Sequence, residues 1–261
     1  MSDATDELLH LAEASLDAGQ PEAALSCVRR VLAERPDDLA ARWVEAEALR
    51  DLHEREEAAD CYRALLAADA DHTDAWAGLA HVLFEDGAFE EASTAARRAL
   101  RLDPEHPEAL AARSLLRERR GDLAGARRDQ LRAWRRSPAY PLTTPLTDDA
   151  LRNLLADAAE GLDDGTRAWI EATAVVVADL PDLATCRTYD PPASPAELLG
   201  HVAARLLHEP GEGWAALPPS IVVYRRNLER YADDREHLVE ALREGVLAQV
   251  ADAVGAATLD E

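Results

Sequence analysis

The sequence predicts a mainly α-helical chain in two parts, an N-terminal helical solenoid followed by a small α+β domain. Three observations carry this expectation. A small or helix-ending residue recurs every 34 positions, at Pro36, Ala70, Pro104 and Pro138. Other slots keep the same register: Ala24, Ala58, Ala92 and Ala126; Gly19, His53, Gly87 and Gly121; Ala12, Ala46, Ala80 and Ser114. Past residue 138 the register stops, and β-favouring runs alternate with helical patterns. A fixed period of this length marks stacked helix–turn–helix units, none of which buries its apolar face alone.

With Thr5, Leu39, Thr73 and Pro107 as first positions, the repeats are 5–38, 39–72, 73–106 and 107–138. In the third, Trp76, Leu79, Ala80 and Leu83 fall at i, i+3, i+4 and i+7, one face of a first helix. Gly87 permits the turn. Ala92, Ala96 and Ala99 line a second helix whose small side chains let two helices approach, and Pro104 ends it. The outer units fit less well: Ser15, Arg113, Arg117 and Gln130 occupy slots that are apolar elsewhere. Terminal repeats face water or another domain, so polar residues are expected there.

These positions resemble the tetratricopeptide repeat over residues 5–138. The resemblance implies a concave groove, lined by the first helices, that holds a peptide. The groove-facing slots are Leu9, His10, Glu13, Trp43, Glu47, Arg50, His81, Phe84, Glu85, Leu115 and Glu118. Trp43 and Phe84 are expected as exposed aromatic anchors among carboxylates, and a basic or apolar protein segment suits such a groove. The Lys and Asn with which one subclass of the family clamps a terminal carboxylate are absent.

Composition narrows the partner further. The chain of 261 residues carries a net charge of −23 and no lysine, which excludes nucleic acid, because phosphate binding needs clustered cations. Residues 113–136 hold nine arginines, whereas residues 139–261 hold 22 acidic and nine basic side chains, a net of −13. Intramolecular docking of the fourth repeat on the acidic second half is therefore an expectation. Cys27 and Cys61 share one repeat slot and, with Cys186, form no disulfide framework. Neither a signal peptide nor a membrane-length apolar run is visible, so a soluble cytoplasmic protein is expected.

The second half begins with a proline-rich linker, 139–147, ending at Thr147 as an N-cap. A helix is predicted from Asp148 to Leu162, a strand over 172–178, a helix near Pro195–Leu207 and a strand over Ser220–Tyr224. A last helix spans Asp234–Val254 and ends at Gly255. An extended peptide, if bound, would pair with 175–178 or 221–224.

The order and spacing of these elements, with the runs 175–181, 198–200, 219–226 and 233–240 and Gly255, resemble a family of minimal zincin-like metallopeptidases. Active members carry H-E-x-x-H on the last helix, two imidazoles for zinc and a glutamate that takes a proton from water. Aligned on Gly255, those places hold Ala248, Gln249 and Asp252. A methyl offers no donor, an amide is no base near pH 7, and a single carboxylate holds zinc weakly. His201 and His208, seven residues apart and able to share a helix face, and His237 are the other histidines of this region, and no metal site, catalytic residue or cofactor is expected. The leading expectation is a non-catalytic adaptor with a pseudoenzyme domain. The alternatives are a metallopeptidase with an unorthodox metal site and a structural subunit of a larger assembly.

Overall fold

The structure, a computed structural model, describes residues 2–140, 142–160, 162, 164–189, 191–203, 206–208, 214–216, 220–231 and 234–247. It divides into two compact units, Met1–Pro141 and Leu142–Glu261.

The first unit is four antiparallel helix pairs: α1 (Ser2–Asp17) and α2 (Pro21–Glu34), α3 (Leu39–Asp51) and α4 (Arg55–Ala68), α5 (Thr73–Glu85) and α6 (Phe89–Leu102), α7 (Pro107–Arg119) and α8 (Leu123–Arg136). The turn slot shows why the period holds. Gly19, His53, Gly87 and Gly121 all sit at positive φ, between 59° and 80°, the left-handed conformation that ends the first helix of each pair and turns the chain. His53 adopts it without glycine's freedom. A second periodic slot starts the next pair. Asp38, His72 and His106 each accept a hydrogen bond from the backbone N–H three residues on, at Ala41, Ala75 and Ala109, capping α3, α5 and α7.

Packing between the pairs depends on small side chains. Ala77, Ala99, Ala109 and Ala133 are buried with Leu100 and Leu110 in one cluster, against which Trp76 and Tyr140 lean. The odd-numbered helices also pack on one another, α1 on α3, α3 on α5 and α5 on α7.

The second unit is α+β. Helices α9 (Asp148–Ala159) and α10 (Asp164–Ala172) precede β1 (Ala174–Ala178) and a single turn, α11 (Leu183–Cys186). Strands β2 (Gly200–Ala203), β3 (Leu206–His208), β4 (Trp214–Ala216) and β5 (Ser220–Tyr224) follow, then α12 (Arg225–Tyr231) and α13 (Arg235–Leu242). A π-helical turn, Arg243–Leu247, continues α13. The sheet order is β1-β5-β2, with β1 parallel and β2 antiparallel to the central β5, and β3 pairs with β4 in a separate hairpin. Ile221 and Val223 face a core of Leu154, Leu228, Leu238 and Leu242. Leu146 packs on this core, and its N–H bonds the Glu229 carboxylate at 3.1 Å.

Three expectations are corrected here. The helix near Pro195–Leu207 is absent: Gly200–Ala203 and Leu206–His208 are strands. Local helix propensity loses to sheet pairing, and the approach is close: a Cβ on Gly200 would lie 2.4 Å from the Val222 carbonyl oxygen. His201 and His208 therefore sit on different strands rather than on one helix face. The last helix turns π-helical at Arg243, and its continuation to Val254 lies outside the described residues. Finally, β5 is flanked on both sides, so residues 221–224 offer no edge to an added strand.

Candidate functional site

The groove slots lie on the odd-numbered helices, and the structure sorts them by what they touch. Leu9 packs against the Ala12, Val28, Val31, Ala41 and Val44 cluster. His10 and Glu13 are exposed and 3.3 Å apart. Trp43 is half-buried, stacked on His72 with ring centroids 5.2 Å apart and tilted against Tyr62 at 6.0 Å. Leu115 is half-buried. Phe84 corrects the expectation of an exposed anchor, being only 1% exposed. Phe89, across the Gly87 turn, closes over it at 5.2 Å, and the Arg119 guanidinium covers the Phe89 ring at 4.3 Å.

Three of the four carboxylates expected on an open rim are also buried and paired. Glu47, Glu85 and Glu118 are 9%, 8% and 8% exposed. Arg50 joins two of the repeats, reaching Glu47 at 2.6 Å and Glu108 at 3.0 Å, while the Tyr62 hydroxyl donates to Glu47. Burial pushes the Glu47 carboxyl up to about 7, against the pull of Arg50 and Tyr62 in the other direction. His81 lies 3.3 Å from Glu85. Burial disfavours the charged ring, but the hydrogen bond and charge of Glu85 outweigh it and raise His81 above the ordinary imidazole value. Glu85 is held low: burial opposes this, and His81, Arg55 and His53 overcome it. Buried charge without a partner is costly, so a solenoid with carboxylates on its inner helices answers them from within.

The fourth repeat contains a group that the periodic pattern did not single out. Asp129, 1% exposed, accepts two 2.7 Å hydrogen bonds from Arg113 and another from Arg117 at 2.7 Å. Gln130 donates to Glu118 at 2.9 Å. The three polar residues at normally apolar slots are thus parts of a paired interior rather than a wetted end. The sequence signal was an aspartate 16 and 12 residues after the two misplaced arginines. Among the other arginines of this segment, Arg120 pairs with Glu90 and Arg132 with Glu105.

A separate pocket of ≈ 550 Å³ opens between α4, α5 and α6, over Leu66, Trp76, Leu79, Leu83 and Ala95, with Arg63 and Glu91 at its mouth. None of the predicted groove slots lines it.

In the second unit, Ala248, Gln249, Asp252 and Gly255 lie outside the described residues. Their chemistry, a methyl, an amide and one carboxylate, does not fit the zinc that the zincin resemblance implies. Among the described residues no three His, Cys, Asp or Glu side chains converge as a metal-holding group. His201 is committed to a hydrogen bond with the Tyr224 hydroxyl at 3.1 Å, the rings stacked at 5.8 Å. Burial lowers its pKa and pushes that of Tyr224 up to about 12. His237 is exposed at the start of α13. Cys27, Cys61 and Cys186 are joined in no disulfide. Cys61 is half-buried 3.7 Å from Glu45, and burial with that negative charge pushes its thiol up to about 12. No helix among the described residues is long and apolar enough to cross a membrane.

Known proteins bear on both units. Residues 15–82 and 49–116 match the tetratricopeptide repeat model, and residues 170–260 match the model of a zincin-like metallopeptidase. No curated protein sequence matches the chain. Among solved structures, a crystal structure of MamA is 20% identical, covering 52% of this chain and 79% of that one with a TM-score of 0.46. The 41-end fragment of MamA from Desulfovibrio magneticus RS-1 is 21% identical, covering 50% and 74%, with a TM-score of 0.46. TTC0263, a thermophilic TPR protein in Thermus thermophilus, is 21% identical, covering 50% and 73%, also with a TM-score of 0.46. Residues 15–116 of this chain carry tetratricopeptide repeats, and residues 170–260 are similar to the zincin-like metallopeptidases.

Proposed function

We propose that the chain is a non-catalytic interaction scaffold that holds a peptide segment of a protein partner along the inner helices of its repeats. The observation that carries this is the run of four helix pairs with matching turns, which builds one continuous surface. The accessible part of that surface is narrower than the slot pattern implies. Phe84, Glu47, Glu85 and Glu118 are taken up internally, which leaves Leu9, His10, Glu13, Trp43, Arg50, His81 and Leu115 as contacts. Trp43 is the anchor, because its ring is half-buried and pre-oriented by His72. A basic or apolar segment remains the suited occupant.

The zincin-like segment serves this scaffold as an inactive domain, on the ground that Ala248, Gln249 and Asp252 supply neither the ligand pair nor the base. Electrostatic docking of the fourth repeat on the acidic second half belongs to the same proposal. It rests on the exposed Arg128, Arg135 and Arg136, since Arg113 and Arg117 are spent on Asp129.

Photo-crosslinked capture from cell extract tests the groove. Trp43→Ala in the intact chain should lose the captured partner at least tenfold while its helical circular dichroism is unchanged. Undiminished capture removes Trp43 as anchor. Stoichiometric zinc in purified protein, together with chelator-sensitive peptide cleavage, would overturn the inactive domain.

A further inference from the structure

Strand β1 reads Ala-Val-Val-Val-Ala. Its neighbour β5 occupies one side, and among the described residues nothing pairs with the other. Val175, Val176 and Val177 are 40%, 44% and 40% exposed, so both faces of the strand keep part of their apolar surface in solvent. They form the one run of consecutive residues among the exposed large apolar side chains of the described chain. Edge strands are normally blunted by a charge, a proline or a bulge. Residues 174–178 contain none of these, and their pairing with β5 runs in unbroken register. Beside the strand, on the helix side, a cleft of ≈ 610 Å³ lies over Leu155, Ala159, Ile170 and Val175, with Arg152, Glu160, Arg167 and Glu171 also in its lining. An unpaired edge of this kind, with a recess beside it, is suited to receive another strand.

We propose that β1 pairs antiparallel with β1 of a second copy of this chain, joining two three-stranded sheets into one of six strands. Three features select a second copy. The strand is its own complement: pairing centred on Val176 sets Val175 against Val177 and Ala174 against Ala178. One step further, Thr173 meets Asp179, so no like charges face one another. An antiparallel edge pair also has twofold symmetry: each copy gives the same five residues, and with β5 on the other side of β1 the contact closes after two copies. Size fixes the strength. Five residue pairs and part of a cleft fall below the ~1,000 Å² of a permanent interface, so the dimer is weak and reversible. Each chain carries −23 while the strand carries no charge, so salt strengthens the association by screening repulsion. This contact is independent of the groove in the first unit.

The test is sedimentation equilibrium of the full chain over a hundredfold range of concentration reaching a few hundred micromolar, in 50 and 500 mM salt, with Val176→Lys beside the wild type. Val176 shares a sheet face with Val222, away from the buried Ile221 and Val223. The substitution spares the core and, in the symmetric register, sets two like charges opposite each other. The wild-type mass should climb from 28.4 kDa towards twice that value, further at 500 mM, and V176K should stay at the monomer mass with unchanged circular dichroism. Hydrogen exchange of the wild type supplies a readout that needs no variant: protection of amides 174–178 should rise with protein concentration. A wild-type mass flat across the range overturns the proposal, and so does V176K associating as well as wild type. Protection of 174–178 by an added acetylated peptide of residues 173–179, with a wild type that stays monomeric, would assign the edge to a partner strand and overturn the pairing of two copies.

Discussion

The two units use small and large side chains in opposite ways. In the first, alanines fill the seams between helices, and large residues such as Tyr62 and Phe84 are few. Apart from the Arg50–Glu108 bridge between the second and fourth pairs, the helix pairs pack mainly on their neighbours, so one geometry is repeated and each departure from it shows. In the second, Leu154, Leu228, Leu238 and Leu242 fill a single core under a sheet whose strands are brought together from distant parts of the chain. A repeat depends on close backbone approach, and a minimal α+β domain depends on bulk. The lesson is that opposite substitutions do the damage in the two halves: loss of bulk in the second, gain of bulk in the first.

Reciprocal substitutions sharpen that contrast most. Leu154→Ala in α9 empties a 2%-exposed position and should cost about 3 kcal/mol, the usual range for a buried leucine that leaves a cavity. Ala99→Leu in α6 adds bulk at a fully buried seam and should cost about 2 kcal/mol by forcing helices apart. Urea unfolding followed by hydrogen exchange should locate the first loss in the second unit and the second in the first. A tolerated Ala99→Leu would show the repeat seams to be looser than their alanines imply.

How much of this was legible in the sequence follows the same division. Helix starts at Leu39, Thr73 and Pro107 coincide with the first positions of the period, because repetition multiplies a weak local signal. Strand β5 was visible as an isolated β-branched run after two prolines. The helical expectation over Pro195–Leu207 failed because β2 is made by its pairing with β5 and not by its own propensity. The π-turn at Arg243 and the short α11 and α12 carry no periodic mark. For the expected groove slots, spacing placed residues on the odd-numbered helices but could not say which were spent on each other. Phe84 meets Phe89 only once the turn closes, and Glu47 meets Tyr62 from a neighbouring helix.

The buried Glu47 gives the contrast a pH dependence confined to the first unit. Its carboxyl titrates near 7 in the folded chain against an ordinary 4.5, so between these values the folded chain holds a proton that the unfolded chain has released. Its contribution is fully present below 4.5 and lost as pH rises through 7. Glu47→Gln is neutral throughout and escapes that loss. Relative to wild type it should gain about 1–2 kcal/mol between pH 5 and pH 8, discounted because the carboxyl keeps some solvent and Arg50. Parallel stability curves for the two proteins would remove buried Glu47 as the cause.

The smallest effect tests whether the repeats are as interchangeable as their period implies. Asp38, His72 and His106 do the same capping work, yet their surroundings differ. The outer ring nitrogen of His106, Nε2, lies 2.7 Å from an Asp74 carboxylate oxygen, so the ring serves as acceptor to Ala109 on one side and donor to Asp74 on the other. His106→Asp keeps an oxygen for the cap and, taken alone, should be neutral or better, since Asp outranks most residues at an N-cap. The new carboxylate would instead face Asp74, a like-charge contact at an exposed site, and the variant should lose about 0.5 kcal/mol. Adding Asp74→Ala should restore that loss, and the restoration should shrink in high salt as screening removes the repulsion. Equal urea midpoints for His106→Asp and wild type at low salt would show that the cap alone sets the strength of this slot, and that the three caps are equivalent despite their different neighbours.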